Sequence, residues 1–144
     1  MMVRVLLSVL GGYLAMALLA VVLFYFAFPV FAPQEEQATL QWMAISLALV
    51  AVASAFGGRV AWRISERSEG VYALGAIVVI MGFAATGATE PDNGSRLDLL
   101  SIALFSRDQG LFYPEWYEWA RPIVAGVFVW YAGRPSQVRI GFGA

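Results

Sequence analysis

Hydrophobic and polar positions in this chain segregate in blocks the length of whole helices. Between Arg4 and Glu35 no charged residue occurs. Three further apolar stretches follow, over 40–58, 71–88 and, less cleanly, 116–133. A bilayer core about 30 Å thick takes roughly 20 apolar residues in a helix. The uncharged run exceeds that length, so it reads as a membrane span and not as the core helix of a soluble domain. The pattern predicts an all-α fold, a four-transmembrane-helix bundle, with helices over about 3–28, 40–64, 70–88 and 114–133. One integral membrane domain, 1–144, accounts for the chain.

Local signals set the expected boundaries. Pro29 and Pro33 stop helix 1, because proline has no N–H and clashes with the preceding turn. Its apolar run is about twice the 7–15 residues of a signal peptide, and a cut after Ala32 would place Pro33 at the first position beyond it, so helix 1 reads as retained. Thr39 suits the N-cap of helix 2, with Glu35 and Glu36 where the helix dipole favours negative charge. Pro114 fits the first turn of helix 4, and Gly133 and Pro135 close it.

The connection between helices 3 and 4, about 25 residues, is long for a bundle. Within it an apolar run lies between Arg96 and Arg107 and includes Leu97, Leu99, Leu100, Ile102, Leu104 and Phe105. The run spans about half a membrane thickness, so 96–106 is expected to form a short amphipathic helix on, or dipping into, the membrane surface. It serves either as a lid on the bundle or as a docking surface for a partner.

Composition narrows the chemistry. The chain is 60% hydrophobic and 13% charged, against about 25% charged in a soluble domain. A net charge of −1 argues against nucleic acid, whose phosphates demand a basic field. Cysteine and histidine are absent, which removes disulfides, thiolate metal sites and the usual axial ligand of haem. All basic residues are arginine, which codon bias in a GC-rich genome explains more simply than function does. No cofactor is expected.

Arginine placement sets the orientation. With the N-terminus inside, Arg4, Arg59, Arg63, Arg67, Arg134 and Arg139 are cytoplasmic, and Arg96, Arg107 and Arg121 are outside. That asymmetry follows the positive-inside rule and places both termini in the cytoplasm of a bacterial cell. Aromatic residues agree: Trp42 and Trp62 bracket helix 2, Trp116, Tyr117 and Trp119 form an outer belt, and Trp130 and Tyr131 an inner one.

Small residues recur at helix-packing intervals, as in Ser8–Gly12, Gly11–Ala15, Ser54–Gly58 and Gly57–Ala61, with Gly75–Gly82 and Gly126–Gly133 seven apart. Such spacing lets backbones approach where packing drives association. Helices 1 and 2 each show two small faces, so one face is available to another subunit. Gly57 and Gly58, with Leu99, Ile102 and Phe105, are the expected partner contacts.

Glu115, Glu118 and Arg121, at three-residue spacing, make the one charged cluster at membrane depth, beside the helix-loosening Pro122. Near the interface, long side chains can snorkel to water, so the pair reads as structural, with a substrate or ion role as the alternative. Arg59, Arg63 and Arg67, four apart, form a stripe suited to anionic lipid head groups, and otherwise to a partner's acidic tail. The stretch from Glu90 to Ser95 lacks the alternating ligands of a calcium loop and reads as a turn. Ser8, Ser46 and Ser54 have no base within a span, so no enzyme is expected.

The pair Gly12-Tyr13, the run Gly57-Gly58-Arg59-Val60-Ala61, and Trp119, Pro122, Gly126 and Gly133-Arg134 in helix 4 together resemble small four-helix bacterial integral membrane proteins of no established activity. The resemblance implies the architecture and carries no reaction. The expected role is a non-catalytic accessory or assembly subunit packing against larger membrane proteins. The alternatives are a small homo-oligomeric transporter or channel using Glu118 and Arg121, and a protein that binds lipid or another small hydrophobic molecule.

Overall fold

The computed structural model describes residues 2–31, 38–87 and 114–134. Among the described residues there are four α-helices and no strand: α1 (Met2–Phe31), α2 (Leu40–Ser65), α3 (Ser68–Gly87) and α4 (Glu115–Ala132). The expected surface segment over 96–106, with Leu99, Ile102 and Phe105, lies outside the described residues, as do Glu35, Glu36 and Arg139.

Two helices, α1 and α2, are long and apolar enough to cross a membrane. Their 30 and 26 residues give axes of about 45 and 39 Å. A shorter apolar helical stretch runs over Ser68–Ala84. The 18 residues of α4 carry Glu115, Glu118 and Arg121.

Boundary signals act as expected at α2. Thr39 takes an extended conformation and its hydroxyl accepts a hydrogen bond from the Trp42 N–H at 3.2 Å, so Thr39 is the N-cap. Pro29, in contrast, does not end α1, which continues to Phe31. A proline in the last turn removes a single backbone bond next to carbonyls that lack helical partners anyway, so the interruption is small there. Pro114 sits at the N-cap of α4, one position before the first turn.

The helices run antiparallel to their chain neighbours. Gly12 of α1 lies beside Gly57 of α2, and towards the other end Phe28 meets Trp42 edge-on. Gly133, capping α4, abuts Val71 in the first turns of α3, and Ser8 of α1 abuts Gly70. α2 packs on both α1 and α4, and α3 packs on α4, α1 and α2. Arg4, Arg63, Arg67 and Arg134 therefore fall at one end of the assembly, and Glu115, Glu118 and Arg121 at the other.

Side-chain size sorts the faces. The inward stripe of α1 is Ser8, Gly12, Met16, Ala17, Ala20, Phe24 and Ala27, whereas Leu7, Leu10, Leu14, Leu18 and Val22 are exposed. Small inner residues bring backbones together. A methyl group built on Gly57 would lie 2.8 Å from the Gly12 carbonyl oxygen, and one on Gly58 would overlap the Val129 carbonyl oxygen. These contacts correct one expectation. Gly57 and Gly58 are not available to another subunit, because adjacent helical residues point about 100° apart and fill two separate seams, one against α1 and one against α4. Gly11, against Ile64, and Gly12, against Leu74 and Ala61, are likewise spent inside the chain.

The link from α2 to α3 is tight. Glu66 caps α2 in the left-handed region at φ 55°, and its N–H bonds to the Trp62 carbonyl at 2.8 Å. The Ser65 hydroxyl lies 3.0 Å from the Ala61 carbonyl and 2.7 Å from that of Arg67, and accepts from the Arg67 N–H at 3.3 Å. This hydroxyl occupies polar groups freed by the helix end.

Two substitutions separate these effects. Gly58→Ala is expected to cost about 1–3 kcal/mol, because the new methyl meets backbone rather than a movable side chain. Gly75→Ala, whose added carbon finds its nearest neighbours at 3.7 Å, is expected to leave stability unchanged or slightly raised. Equal thermal unfolding of the two purified variants would contradict this packing. Glu66→Gly is expected to stabilise by roughly 0.5–1 kcal/mol through relief of the left-handed conformation, read as a rise in unfolding temperature.

Candidate functional site

The most polar part of the interior lies in the seam between α2 and α4. On α2 the residues Trp42, Ser46, Val50, Ser54 and Gly58 recur every four positions, and all are buried. Four-residue spacing drifts by about 40° per step, so the row winds slowly round the helix, with Trp42 turned towards Phe24 and Phe28 of α1 and Ser46 and Gly58 towards α4. It meets Tyr117 at one end and Val129 at the other. The hydroxyls of Ser46 and Tyr117 are hydrogen-bonded to each other across the seam, and Ser46 also lies 3.0 Å from the Met43 carbonyl. Tyr117 is fully buried. A tyrosine whose ring is packed in an apolar interior needs such a partner for its hydroxyl.

Arg121, one turn further along α4, extends the cluster. It is 8% exposed, and its guanidinium carbon lies 4.6 Å from the centroid of the Tyr117 ring. A cation over an aromatic face contributes about 0.5–1 kcal/mol where exposed and about 2 where desolvated. Pro122, also buried, brings no N–H to this turn. Trp42 closes the other side: Phe24 and Phe28 of α1 approach it edge-on, with centroids at 6.3 and 5.7 Å. Each such pair contributes about 0.5–1.5 kcal/mol beyond its burial.

The expected charged cluster does not hold together on one face. Glu115 and Glu118 are exposed, whereas Arg121 is buried, and among the described residues no ion pair joins either glutamate to it. The cause is geometric: three-residue steps drift about 60° each, so six residues carry Arg121 roughly 120° from Glu115. Arg121 is accordingly packed on Tyr117 and not extended to the surface. The aromatic belts need the same correction. Trp42 and Tyr117 are interior residues, while Trp116, Trp119, Trp130 and Tyr131 are exposed.

Arg59, Arg63 and Arg67 are all exposed, the first two on the last turns of α2 and the third just beyond its end. Their end of the molecule also holds Arg134, whose guanidinium lies 4.0 Å from the centroid of the Trp130 ring. Among the described residues no group of three histidine, cysteine or acidic side chains is placed to hold a metal ion. Ser46 is the residue that sequence reasoning undervalued. The signal was present in the four-residue recurrence of Trp42, Ser46, Ser54 and Gly58, which marks an inner seam better than the apolar pattern does.

Comparison with known proteins finds no matching protein family, no matching curated protein and no matching solved structure.

A double-mutant cycle tests the seam. Ser46→Ala and Tyr117→Phe are each expected to lower stability by about 1 kcal/mol, since each removes the hydrogen bond across the seam. The double variant should lose clearly less than the sum, and strict additivity in thermal unfolding would show that the two hydroxyls do not depend on each other.

Proposed function

We propose that this chain is an integral protein of the bacterial cytoplasmic membrane with four spans and both termini inside. We further propose that it acts as a non-catalytic accessory or assembly subunit of larger membrane proteins. One observation carries the membrane reading: on α1 the leucines and valines face mostly outward while the buried face is mostly small residues. In α1, Leu7, Leu10, Leu14 and Leu18 are more than half exposed, and only 28% of its most apolar window is buried. The core helix of a water-soluble domain is mostly covered, and a soluble surface rarely shows a continuous apolar patch above a few hundred Å². Lipid tails, or the apolar flank of another membrane protein, satisfy such a face at no desolvation cost.

Charge supports the orientation. Arg4, Arg59, Arg63, Arg67 and Arg134 gather towards the end where α1 begins and α4 finishes, which the positive-inside rule assigns to the cytoplasm. In this reading α3 and α4 cross as well, with axes of about 30 and 27 Å. Arg59, Arg63 and Arg67 lie among anionic lipid head groups.

The accessory role rests on the outward face of α1, a continuous apolar strip against which a larger membrane protein can pack. With Gly57 and Gly58 used internally, this strip replaces them as the proposed contact, together with Leu99, Ile102 and Phe105. A second reading, a small homo-oligomeric transporter or channel, is favoured by Arg121 buried beside Tyr117 and Ser46, because an ionisable residue inside a membrane helix is costly and commonly functional. Lipid or small-hydrophobe binding is the third.

Native mass spectrometry on the tagged protein, extracted from its host in mild detergent, distinguishes the three. The accessory reading expects a complex of fixed stoichiometry with other membrane proteins. A stable monomer without partners overturns it, as does a self-assembled ring or dimer, which instead supports transport or lipid binding. Release of the chain from membranes by an alkaline carbonate wash would overturn the membrane reading itself.

A further inference from the structure

The basic end carries a second arrangement, distinct from the arginine stripe of α2. Gly133 abuts Val71, so the end of α4 is level with the first turns of α3. Across that junction Tyr72 of α3 and Trp130 of α4 lie with ring centroids 6.2 Å apart, tilted by 48°. Arg134 then stacks on Trp130, its guanidinium carbon 4.0 Å from the ring centroid. The result is a short row, Tyr72–Trp130–Arg134, running across the α3–α4 junction. All three side chains are exposed.

Stacking matters because of what it leaves available. A guanidinium lying flat on a ring uses its π-face, while its five N–H donors project from its edge in a fixed fork that matches phosphate oxygens. The stack holds the side chain in one place, so less freedom is lost when an anion binds. Among the described residues no carboxylate pairs with Arg134; Glu66 and Glu69, the acids at this end, are exposed in the turn and on the first turn of α3. Arg59, Arg63 and Arg67 lie towards the same end of the molecule and add to its positive charge. Tyrosine and tryptophan rings, apolar in body and polar at the tip, prefer the head-group level of a bilayer.

We propose that Tyr72, Trp130 and Arg134 form a binding site for the phosphate of an anionic phospholipid, with the acyl chains lying against the exposed apolar side chains of α3 and α4. This rests on the membrane reading above. Arg134 supplies the fork, Trp130 steadies it, and Tyr72 adds a hydroxyl beside them.

The test uses the full chain in mild detergent, titrated with dioleoyl phosphatidylglycerol or dioleoyl phosphatidylcholine, with bound lipid counted by native mass spectrometry. One phosphatidylglycerol is expected to be retained at least about fivefold more tightly than phosphatidylcholine. Arg134→Ala is expected to remove that preference, Trp130→Leu to weaken it, and Arg134→Lys, which keeps charge but loses the planar fork, to restore less than half of it. Arg4→Ala, a charge removed elsewhere, should change it little. Equal retention of the two lipids overturns the site. So does a preference lost equally in R4A and R134A, or one abolished by millimolar inorganic phosphate, which would mark a general anion patch. Each result applies to protein that has resisted the carbonate wash, so failure of the site is separable from failure of the membrane reading.

Discussion

Everything else in this structure depends on how closely its helix backbones approach. Gly12 against Gly57, and Gly58 against Val129, leave no space for even one methyl group. Such contacts are inexpensive in an apolar solvent, where helices gain nothing by hiding leucine from lipid and associate through close packing instead. They also bear on the side chains of α1: with its inner face lined largely by Ser8, Gly12, Ala17, Ala20 and Ala27, the leucines at 7, 10, 14 and 18 are left outside.

The α2–α4 seam shows the consequence for polar groups. Close approach brings Ser46 within hydrogen-bonding reach of Tyr117, and Tyr117 in turn offers its ring to Arg121. None of the three is tolerated alone in an apolar interior, since an unsatisfied buried hydroxyl or cation is strongly disfavoured. Together they form a connected set, backed by Trp42 and its two phenylalanine neighbours. The helix α4, the most charged of the four, is thereby tied into the interior by Tyr117 and Arg121.

The two ends of the molecule differ in the work their charges do. At the end where α4 begins, Glu115 and Glu118 remain outside while Arg121 turns inward. At the opposite end the arginines are exposed, and Arg134 is organised by a ring rather than by a carboxylate. A cation steadied by an aromatic face keeps its hydrogen-bond donors directed outward, which suits contact with head groups better than an internal ion pair does.

Much was legible in the residues alone, because it depends on local geometry. Helix identity, the Thr39 cap and the small-residue spacing follow from hydrophobic blocks, capping chemistry and the turn of the helix, each a property of a few neighbouring positions. Which seam each glycine fills was not legible, since Gly57 and Gly58 differ only in direction and that direction acquires meaning once α1 and α4 are in place. The same holds for Trp42, Tyr117 and Arg121, which read as interface residues from composition and are interior ones in the fold. A rotation of no more than half a helix turn decides between those positions, and only packing against a second helix sets the phase.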